Sequence, residues 1–249
     1  MHPIIMAEHD KITPYLKEEI AKKEQVAEMF DNISHSYDFL NHFLSLGIDK
    51  LWRRKVINLL KKSQPKQILD VATGTGDLAL ASLKLNPDKV VGVDISNKML
   101  EVGRKKINKR NLSDKIEMKT ADAENLPFED QQFDAIVSAF GVRNFGDLEK
   151  GLTEMSRVLT IGGKALILEF SIPKNVIFRN LYYFYFCNVL PFIGKLVSKD
   201  SRAYSYLPES VRAFPDGDRM AGILKNCGFK TVQCIPLTFG ISTIYLAEK

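Results

Sequence analysis

Short apolar runs alternate with amphipathic stretches from residue 66 to the end of the chain. One such run is Val90-Val91-Gly92-Val93, and continuous apolar runs are typical of parallel strands that helices cover on both faces. Repeated strand–helix units predict an α/β fold with a doubly wound, seven-stranded, mostly parallel sheet and right-handed crossovers. The predicted strands are residues 67–72, 89–94, 115–120, 134–138, 164–170, 230–235 and 241–247, and the helices between them are 77–85, 97–108, 147–159 and 216–227.

Two segments depart from this alternation. The first 63 residues have helical spacing only. They predict an N-terminal helical extension (1–63) before a main domain at 64–249, the two forming one structural domain. Residues 173–213 are too long for a simple connection and are rich in Phe and Tyr. They predict a helical aromatic cap over the sheet.

Composition limits the classes of protein that fit. The 249 residues suit one large α/β domain. The net charge of +5, without a nucleic-acid motif, predicts no nucleic-acid partner and is compatible with an anionic membrane surface. The three cysteines lack paired spacing, which indicates a reducing cytoplasm. All four histidines precede residue 43, so no metal site is expected, and the longest apolar run, 180–194, is too short to span a bilayer.

The first predicted strand leads into a glycine turn. Gly74 and Gly76 lie between this strand and the next helix, where glycine lets the backbone turn sharply and approach a ligand. Asp94 ends the second strand, at a position where an acid accepts hydrogen bonds from ribose hydroxyls. Asp122 follows the third strand, where an acid can accept from an adenine amino group. The pattern therefore predicts an adenosine site at the carboxyl ends of these strands.

The charge around the turn separates the candidate ligands, because the turn also fits the G-x-G-x-x-A pattern of dinucleotide enzymes. Asp77 lies in the first turn of the helix and Asp70 lies on the strand. Two like charges ~4 Å apart near a surface cost on the order of 4 kcal/mol, a repulsion that a pyrophosphate would meet. S-adenosylmethionine carries an ammonium and a sulfonium and would be attracted, so we expect it as the ligand. An NAD(P)-dependent oxidoreductase and a plain helix-capping turn without a ligand stay open as alternatives.

Several blocks outside the turn are more specific. They are VAEMF at 26–30, YDFLN at 37–41, FGVRN at 140–144 and YSYLP at 204–208. With them the chain resembles, over nearly its whole length, the menaquinone/ubiquinone C-methyltransferase family of class I methyltransferases. The resemblance implies donor binding by Thr75, Asp94, Asp122 and Ala123. The complete expected donor site is Asp70, Gly74, Thr75, Gly76, Asp94, Ile95, Asp122 and Ala123.

The resemblance implies methyl transfer from S-adenosylmethionine to a ring carbon of demethylmenaquinol, the last step of menaquinone biosynthesis. A polyprenyl benzoquinol of ubiquinone biosynthesis is the alternative substrate, and a peripheral membrane protein without catalysis is an alternative of another class. A phenol with a pKa near ~10 becomes a good carbon nucleophile only as the phenolate. An apolar, water-poor pocket favours reaction of that phenolate with a sulfonium.

Arg143 is the first candidate for contact with the ring oxygens. It follows the fourth predicted strand and stays charged at working pH, so it would lower the pKa of the phenol and orient the oxyanion. An ion pair with Asp147 or Glu149 is the alternative role for Arg143. Asn144 is expected to hold the second ring oxygen.

Tyr37 and Asp38 lie in the segment that, in the family, closes over the donor site. Tyr37 is expected to contact the donor's carboxylate or the substrate, with core packing as the alternative. Asp38 is the candidate general base, ahead of His35 and His42. Three further residues, Arg202, Tyr204 and Tyr206, are expected to line the mouth of the substrate site or to anchor a loop.

The aromatic cap has two interpretations, a cover over the sheet and an apolar tunnel for a polyprenyl tail that rests on the bilayer. Arg179, Lys195 and Lys199 flank its aromatic stretch and suit an anionic surface. The expected partners are thus a polyprenylated quinol and, transiently, a membrane surface, while a homodimer stays open. The expected location is cytoplasmic, at the inner face of the cell membrane.

Overall fold

The computed structural model describes residues 8–17, 19–189 and 202–249. These residues contain a seven-stranded sheet of order β3-β2-β1-β4-β5-β7-β6, in which β7 runs antiparallel to both of its neighbours. The predicted doubly wound α/β fold is therefore confirmed. The strands are β1 (Gln67–Val71), β2 (Lys89–Asp94), β3 (Ile116–Thr120), β4 (Phe133–Ala139), β5 (Leu159–Phe170), β6 (Thr231–Leu237) and β7 (Ser242–Glu248).

Some of the helices begin at a side chain that caps them. Ser96 accepts the N–H of Met99 at the start of α5, and Asp147 accepts the N–H of Lys150 at the start of α6. The helices are α1 (Lys22–Ile33), α2 (Tyr37–Leu44), α3 (Ile48–Leu60), α4 (Asp77–Ser82), α5 (Asn97–Lys109), α6 (Leu148–Val158), α7 (Val176–Phe184), α8 (Arg202–Ala213) and α9 (Asp218–Asn226).

Two apolar layers cover the sheet. On one face α3 and α5 bury Val56 and Leu100, and on the other α6 and α9 bury Leu152 and Leu224. The predicted extension 1–63 thus contributes α3 to the same core as the sheet. Because β1 lies between β2 and β4, the strand order reverses beside β1, and ligands of such sheets bind at the carboxyl ends of strands at this point.

Two details differ from the expected elements. β5 begins at Leu159 rather than at residue 164, because the strand continues through a glycine pair in which Gly162 adopts a φ of +77°. The predicted cap contains α7, a single wide helical turn at Tyr185–Val189, and α8. Residues 190–201, which include the predicted flanking residues Lys195 and Lys199, lie outside the described residues.

The last feature of the fold is the length of its apolar helices compared with the thickness of a bilayer. Among the residues that the structure describes, we find no helix with the length and apolar character needed to cross a bilayer. The apolar helix α7, for example, has 9 residues, whereas a span needs about 20.

Candidate active site

The glycine turn and the end of β2 form one hydrogen-bonded unit. Gly74 and Gly76 adopt φ angles of +56° and +81°, which place the turn in the left-handed region that glycine tolerates. Asp94 accepts the N–H of Gly74 at 2.7 Å and the N–H of Ser96 at 2.9 Å. Parallel pairing of β1 with β2 brings these residues together, and two backbone donors fix the carboxylate of Asp94 beside the turn.

A narrow cleft of about 60 Å³ opens beside this unit. The loop after β3 supplies its acidic side, where Lys23 of α1 places its ammonium nitrogen 2.7 Å from the carboxylate of Asp122. Lys23 itself lines the cleft, so the ammonium lies where Asp122 would meet a ligand. The predicted donor-binding residues that line this cleft are Gly74, Asp94, Ile95, Asp122 and Ala123.

A smaller recess adjoins the cleft and contains two further predicted residues, Asp70 and Thr75. Asp70 is buried and accepts the hydroxyl hydrogen of Thr73 at 2.7 Å. Burial raises the pKa of Asp70 to about 7, because a charged carboxylate is poorly solvated there. A cation bound in this recess would favour the ionised form. The remaining predicted residue, Gly76, lies at the start of α4 and lines neither space.

The electrostatic argument against a dinucleotide is weaker than the sequence suggests. Asp77 does lie in the first turn of α4, but its carboxylate is 2.7 Å from the ammonium of Lys106 and 3.3 Å from the imidazole of His42. The charge of Lys106, which comes from α5, offsets that of Asp77. Repulsion of a pyrophosphate by Asp77 is therefore not what decides the ligand class.

Asp38 is held in the same network of charges. Its carboxylate lies 2.8 Å from the ammonium of Lys106 and accepts the hydroxyl hydrogen of Thr75. His42 is bound to Asp49 at 2.8 Å, and His35 is exposed. Among the described residues, the lining of the cleft, the recess and the larger cavity described next does not include Asp38. Asp38, the predicted general base, thus connects α2 to the glycine turn and does not line the cavity.

A larger, mostly apolar cavity of about 420 Å³ lies between the N-terminal helices and the cap. Phe30, Tyr37 and Phe140 line both this cavity and the donor cleft, so the two spaces meet at these three side chains. Phe140 adopts a φ of +61°, a strained conformation for a non-glycine residue of the kind found at functional sites. The cavity wall also includes Trp52, Phe170, Phe178, Tyr182, Phe186 and Tyr206.

Arg143 is buried at the wall of this cavity. Its guanidinium donates to the carboxylate of Glu169 at 2.9 Å and to the carbonyl of Phe140, and it lies 5.6 Å from the ring centre of Phe170. Burial raises the pKa of Glu169, and the charge of Arg143 opposes that rise. The ion pair of Arg143 is therefore with Glu169 at the end of β5, and not with Asp147 or Glu149, the partners considered for the alternative role of Arg143.

Tyr37 lies at the junction of the two spaces, and Asn144 lies on the donor side of it. Tyr37 lines the cleft, the recess and the cavity, and loss of water around the phenol raises its pKa to about 12. The hydroxyl of Tyr37 therefore stays protonated at neutral pH and acts as a hydrogen-bond donor. Asn144 lines the donor cleft and is not among the residues of the cavity wall, where a second ring oxygen would lie.

The predicted mouth residues have separate roles. Arg202 donates to the carbonyl of Pro14 at 2.6 Å and lies 3.4 Å from the carboxylate of Glu209, which is the anchoring role. Tyr206 lines the cavity, and Tyr204 lies in α8 with a side chain outside the described part of the chain. Sequence reasoning missed the role of Glu169, although a lone acid in the apolar run of β5 was a usable signal.

The doubly wound sheet, the glycine turn and the acids at the ends of β2 and β3 define a class I methyltransferase. The profile of the ubiE/COQ5 methyltransferase family matches residues 18–249, and the chain belongs to this family. The expectation of an S-adenosylmethionine-dependent methyltransferase is thereby confirmed, and the NAD(P)-dependent and non-catalytic alternatives are set aside.

Named relatives cover almost the whole chain. The demethylmenaquinone methyltransferase of Bacteroides fragilis is 52% identical over 96% of this chain and 98% of its own length. The ubiquinone/menaquinone biosynthesis C-methyltransferase UbiE of Geotalea daltonii is 48% identical over 92% of this chain and 97% of its own. A crystal structure of an S-adenosyl-L-methionine-dependent methyltransferase from Methanococcus maripaludis has a TM-score of 0.60 at 21% identity, covering 90% and 93% of the two chains. That likeness shows the shared fold.

Proposed function

We propose that this chain methylates demethylmenaquinol at a ring carbon, with S-adenosylmethionine as donor, and so forms menaquinol. The observation that carries the proposal is the apolar cavity of about 420 Å³ that meets the donor cleft and has the buried cation Arg143 in its wall. A cavity of this composition suits an aromatic ring with an isoprenoid tail. Relatives at 52% and 41% identity are named demethylmenaquinone methyltransferase, which agrees with this substrate.

The donor cleft fits the donor in its chemistry. Asp94 and Asp122 provide carboxylate acceptors for the ribose hydroxyls and the adenine amino group, and the glycine turn leaves room for close approach of the backbone. Asp70, with its raised pKa, gains its charge beside an ammonium group. When bound, S-adenosylmethionine supplies an electrophilic methyl group. Lys23 must release Asp122 before an adenine can take its place.

The cavity prepares the quinol as a nucleophile. The guanidinium of Arg143 is paired with Glu169, but its Nε–H has no partner among the described residues; donation of this N–H to a ring oxygen favours the phenolate over the phenol. The phenol of Tyr37 stays protonated and donates a hydrogen bond at the junction of the two spaces. The apolar wall excludes water, which strengthens both interactions. The names of relatives called UbiE include both ubiquinone and menaquinone biosynthesis. The experiment below therefore compares a naphthoquinol with a benzoquinol.

The direct test is incubation of the purified protein with isotopically labelled S-adenosylmethionine and a panel of quinols. We expect a labelled methyl group on the ring carbon of demethylmenaquinol, located by mass spectrometry. The matched control is the oxidised quinone, which lacks the phenol that must ionise and is expected to give no product. Methylation of the benzoquinol alone would select the alternative substrate, and the absence of product from every quinol would contradict the proposed function.

The surface around the cavity supports contact with a membrane. Leu46 and Leu181 line the cavity and are 83% and 63% exposed, so the cavity reaches the surface at these side chains. Further exposed apolar side chains lie on α7 next to Leu181, and Phe239 stacks on Phe178 of the same helix. Clusters of this kind mark interaction sites. An isoprenoid tail resides in the bilayer, so the occupant we propose for this surface is an anionic lipid membrane. The exposed residues are Val176, Ile177, Leu181, Phe184 and Phe239, with Lys174 and Arg179 adding positive charge.

Binding to vesicles tests this contact. We expect Ile177→Glu, at a side chain that is 76% exposed, to lower binding to vesicles with anionic lipid by about tenfold, because an apolar contact worth about 1.5–3 kcal/mol is replaced by a charge. The matched control is Ile161→Glu, 69% exposed near the amino end of β5, whereas α7 follows the carboxyl end of that strand. Equal loss in both variants, measured by sedimentation, would contradict this surface. The homodimer that the sequence analysis left open is a separate question, which sedimentation of the protein without vesicles would test.

A further inference from the structure

Tyr206 carries a buried hydroxyl that makes no hydrogen bond within the described part of the chain. The side chain is 1% exposed, and its ring packs against Val26, Met29 and Ile33 of α1. Among the described residues, the hydroxyl oxygen has no hydrogen-bond partner. A buried polar group left unpaired costs about 1–3 kcal/mol, and native structures contain few of them. The unpaired hydroxyl therefore indicates a ligand that completes its hydrogen bonding.

Tyr206 and Arg143 both line the apolar cavity. Among the residues that the structure describes, the Nε of Arg143 is a second buried donor without a partner. Burial raises the pKa of Tyr206, while the nearby charge of Arg143 opposes that rise and the charge of Glu169 adds to it. The phenol of Tyr206 thus stays protonated at neutral pH. Two buried donors that lack partners among the described residues, in a mostly apolar wall, suit a ligand with two oxygen atoms on a ring.

The position of Asn144 leaves the second ring oxygen of the quinol without the residue that was expected to hold it. Asn144 was the residue expected from the sequence to hold the second ring oxygen, but its side chain lines the donor cleft. We propose that Tyr206 fulfils this role: its hydroxyl binds one ring oxygen of the quinol while Arg143 binds the other. This assignment rests on the proposed function and makes Tyr206 a substrate-positioning residue that selects a ring with two oxygens.

The variant Tyr206→Phe tests the assignment, because it removes the hydroxyl and keeps the ring. We expect the KM for the quinol to rise about tenfold, because one hydrogen bond to a ring oxygen is lost. Donor affinity is expected to stay unchanged. The free energy of unfolding is expected to stay equal or to increase, because an unpaired buried hydroxyl is removed. A merely structural role would not combine a weaker KM with an undiminished stability.

The matched control is Tyr245→Phe in β7. Tyr245 is also fully buried, but its hydroxyl accepts the N–H of Gly217 at 2.9 Å, away from the cavity. We expect the opposite result, a lower free energy of unfolding and an unchanged KM. Product formation with equal KM and kcat in Tyr206→Phe and the unmodified protein would overturn the assignment and leave the proposed function standing. Absence of product from the unmodified protein would overturn both.

Discussion

Replacement of Asp94 by Ala is expected to weaken donor binding by about 10²–10⁴-fold. A carboxylate that accepts two ribose hydroxyls makes two charge-assisted hydrogen bonds, each worth about 1.5–3 kcal/mol. The variant also frees the N–H groups of Gly74 and Ser96, which Asp94 holds at 2.7 and 2.9 Å, so the glycine turn loses its support. Isothermal titration calorimetry with S-adenosylmethionine measures the effect directly.

A control must separate ribose binding from the loss of backbone hydrogen bonds. Asp134 offers this control, because its carboxylate likewise accepts two backbone N–H groups, those of Lys66 and Gln67, each at 2.8 Å. These contacts lie at the amino end of β1, remote from the cleft. We expect Asp134→Ala to lower the free energy of unfolding and to leave donor affinity unchanged. Near-normal affinity in Asp94→Ala would contradict the ribose assignment.

The fold could be predicted from the sequence because each of its signals is local. Apolar runs and helical spacing identify the strands and helices, and the connectivity of strand and helix then limits the topology. The start of β5 could not be placed, because the pair Gly162-Gly163 is compatible with a turn and with an extended strand alike. The site residues of the glycine turn could be predicted for the same reason, since they directly follow strands that are visible in the sequence.

The partners of charged residues could not be predicted, because they depend on contacts between distant elements. The alternative role considered for Arg143 was an ion pair with an acid close to it in sequence, yet the pairing of β4 with β5 places Glu169 beside it, 26 residues away. Asp77 was expected to repel a pyrophosphate, but α5 brings Lys106 to it across 29 residues. The positions of the strands follow from local sequence, whereas the sign of the electrostatic field at a site depends on which distant charges the fold brings together.

The pairing of Arg143 with Glu169 also determines how the role of Arg143 in catalysis must be tested. Removal of Arg143 alone leaves Glu169 buried without its partner, a change that typically costs about 3–5 kcal/mol in stability. A loss of activity in Arg143→Ala would therefore mix catalysis with misfolding. The double variant Arg143→Gln, Glu169→Gln removes both charges together and keeps the volume of the pair, and is expected to fold with nearly the stability of the unmodified protein.

We expect this double variant to bind S-adenosylmethionine normally and to lower kcat for quinol methylation by about 10²–10³-fold, the usual loss when a group that stabilises an oxyanion is removed. The phenol of the quinol must then ionise without a neighbouring positive charge. The methylation rate of the double variant is therefore also expected to keep rising with pH, towards the free phenol's pKa of ~10. The single variant Glu169→Gln keeps the guanidinium and a side-chain oxygen that can accept its hydrogen bond. It is expected to lose stability, because the buried charge of Arg143 is no longer balanced, and to retain most of the turnover of the folded protein. If the double variant turned over at the rate of Glu169→Gln, the positive charge of Arg143 would have no part in activating the ring, and its burial beside Glu169 would be structural alone.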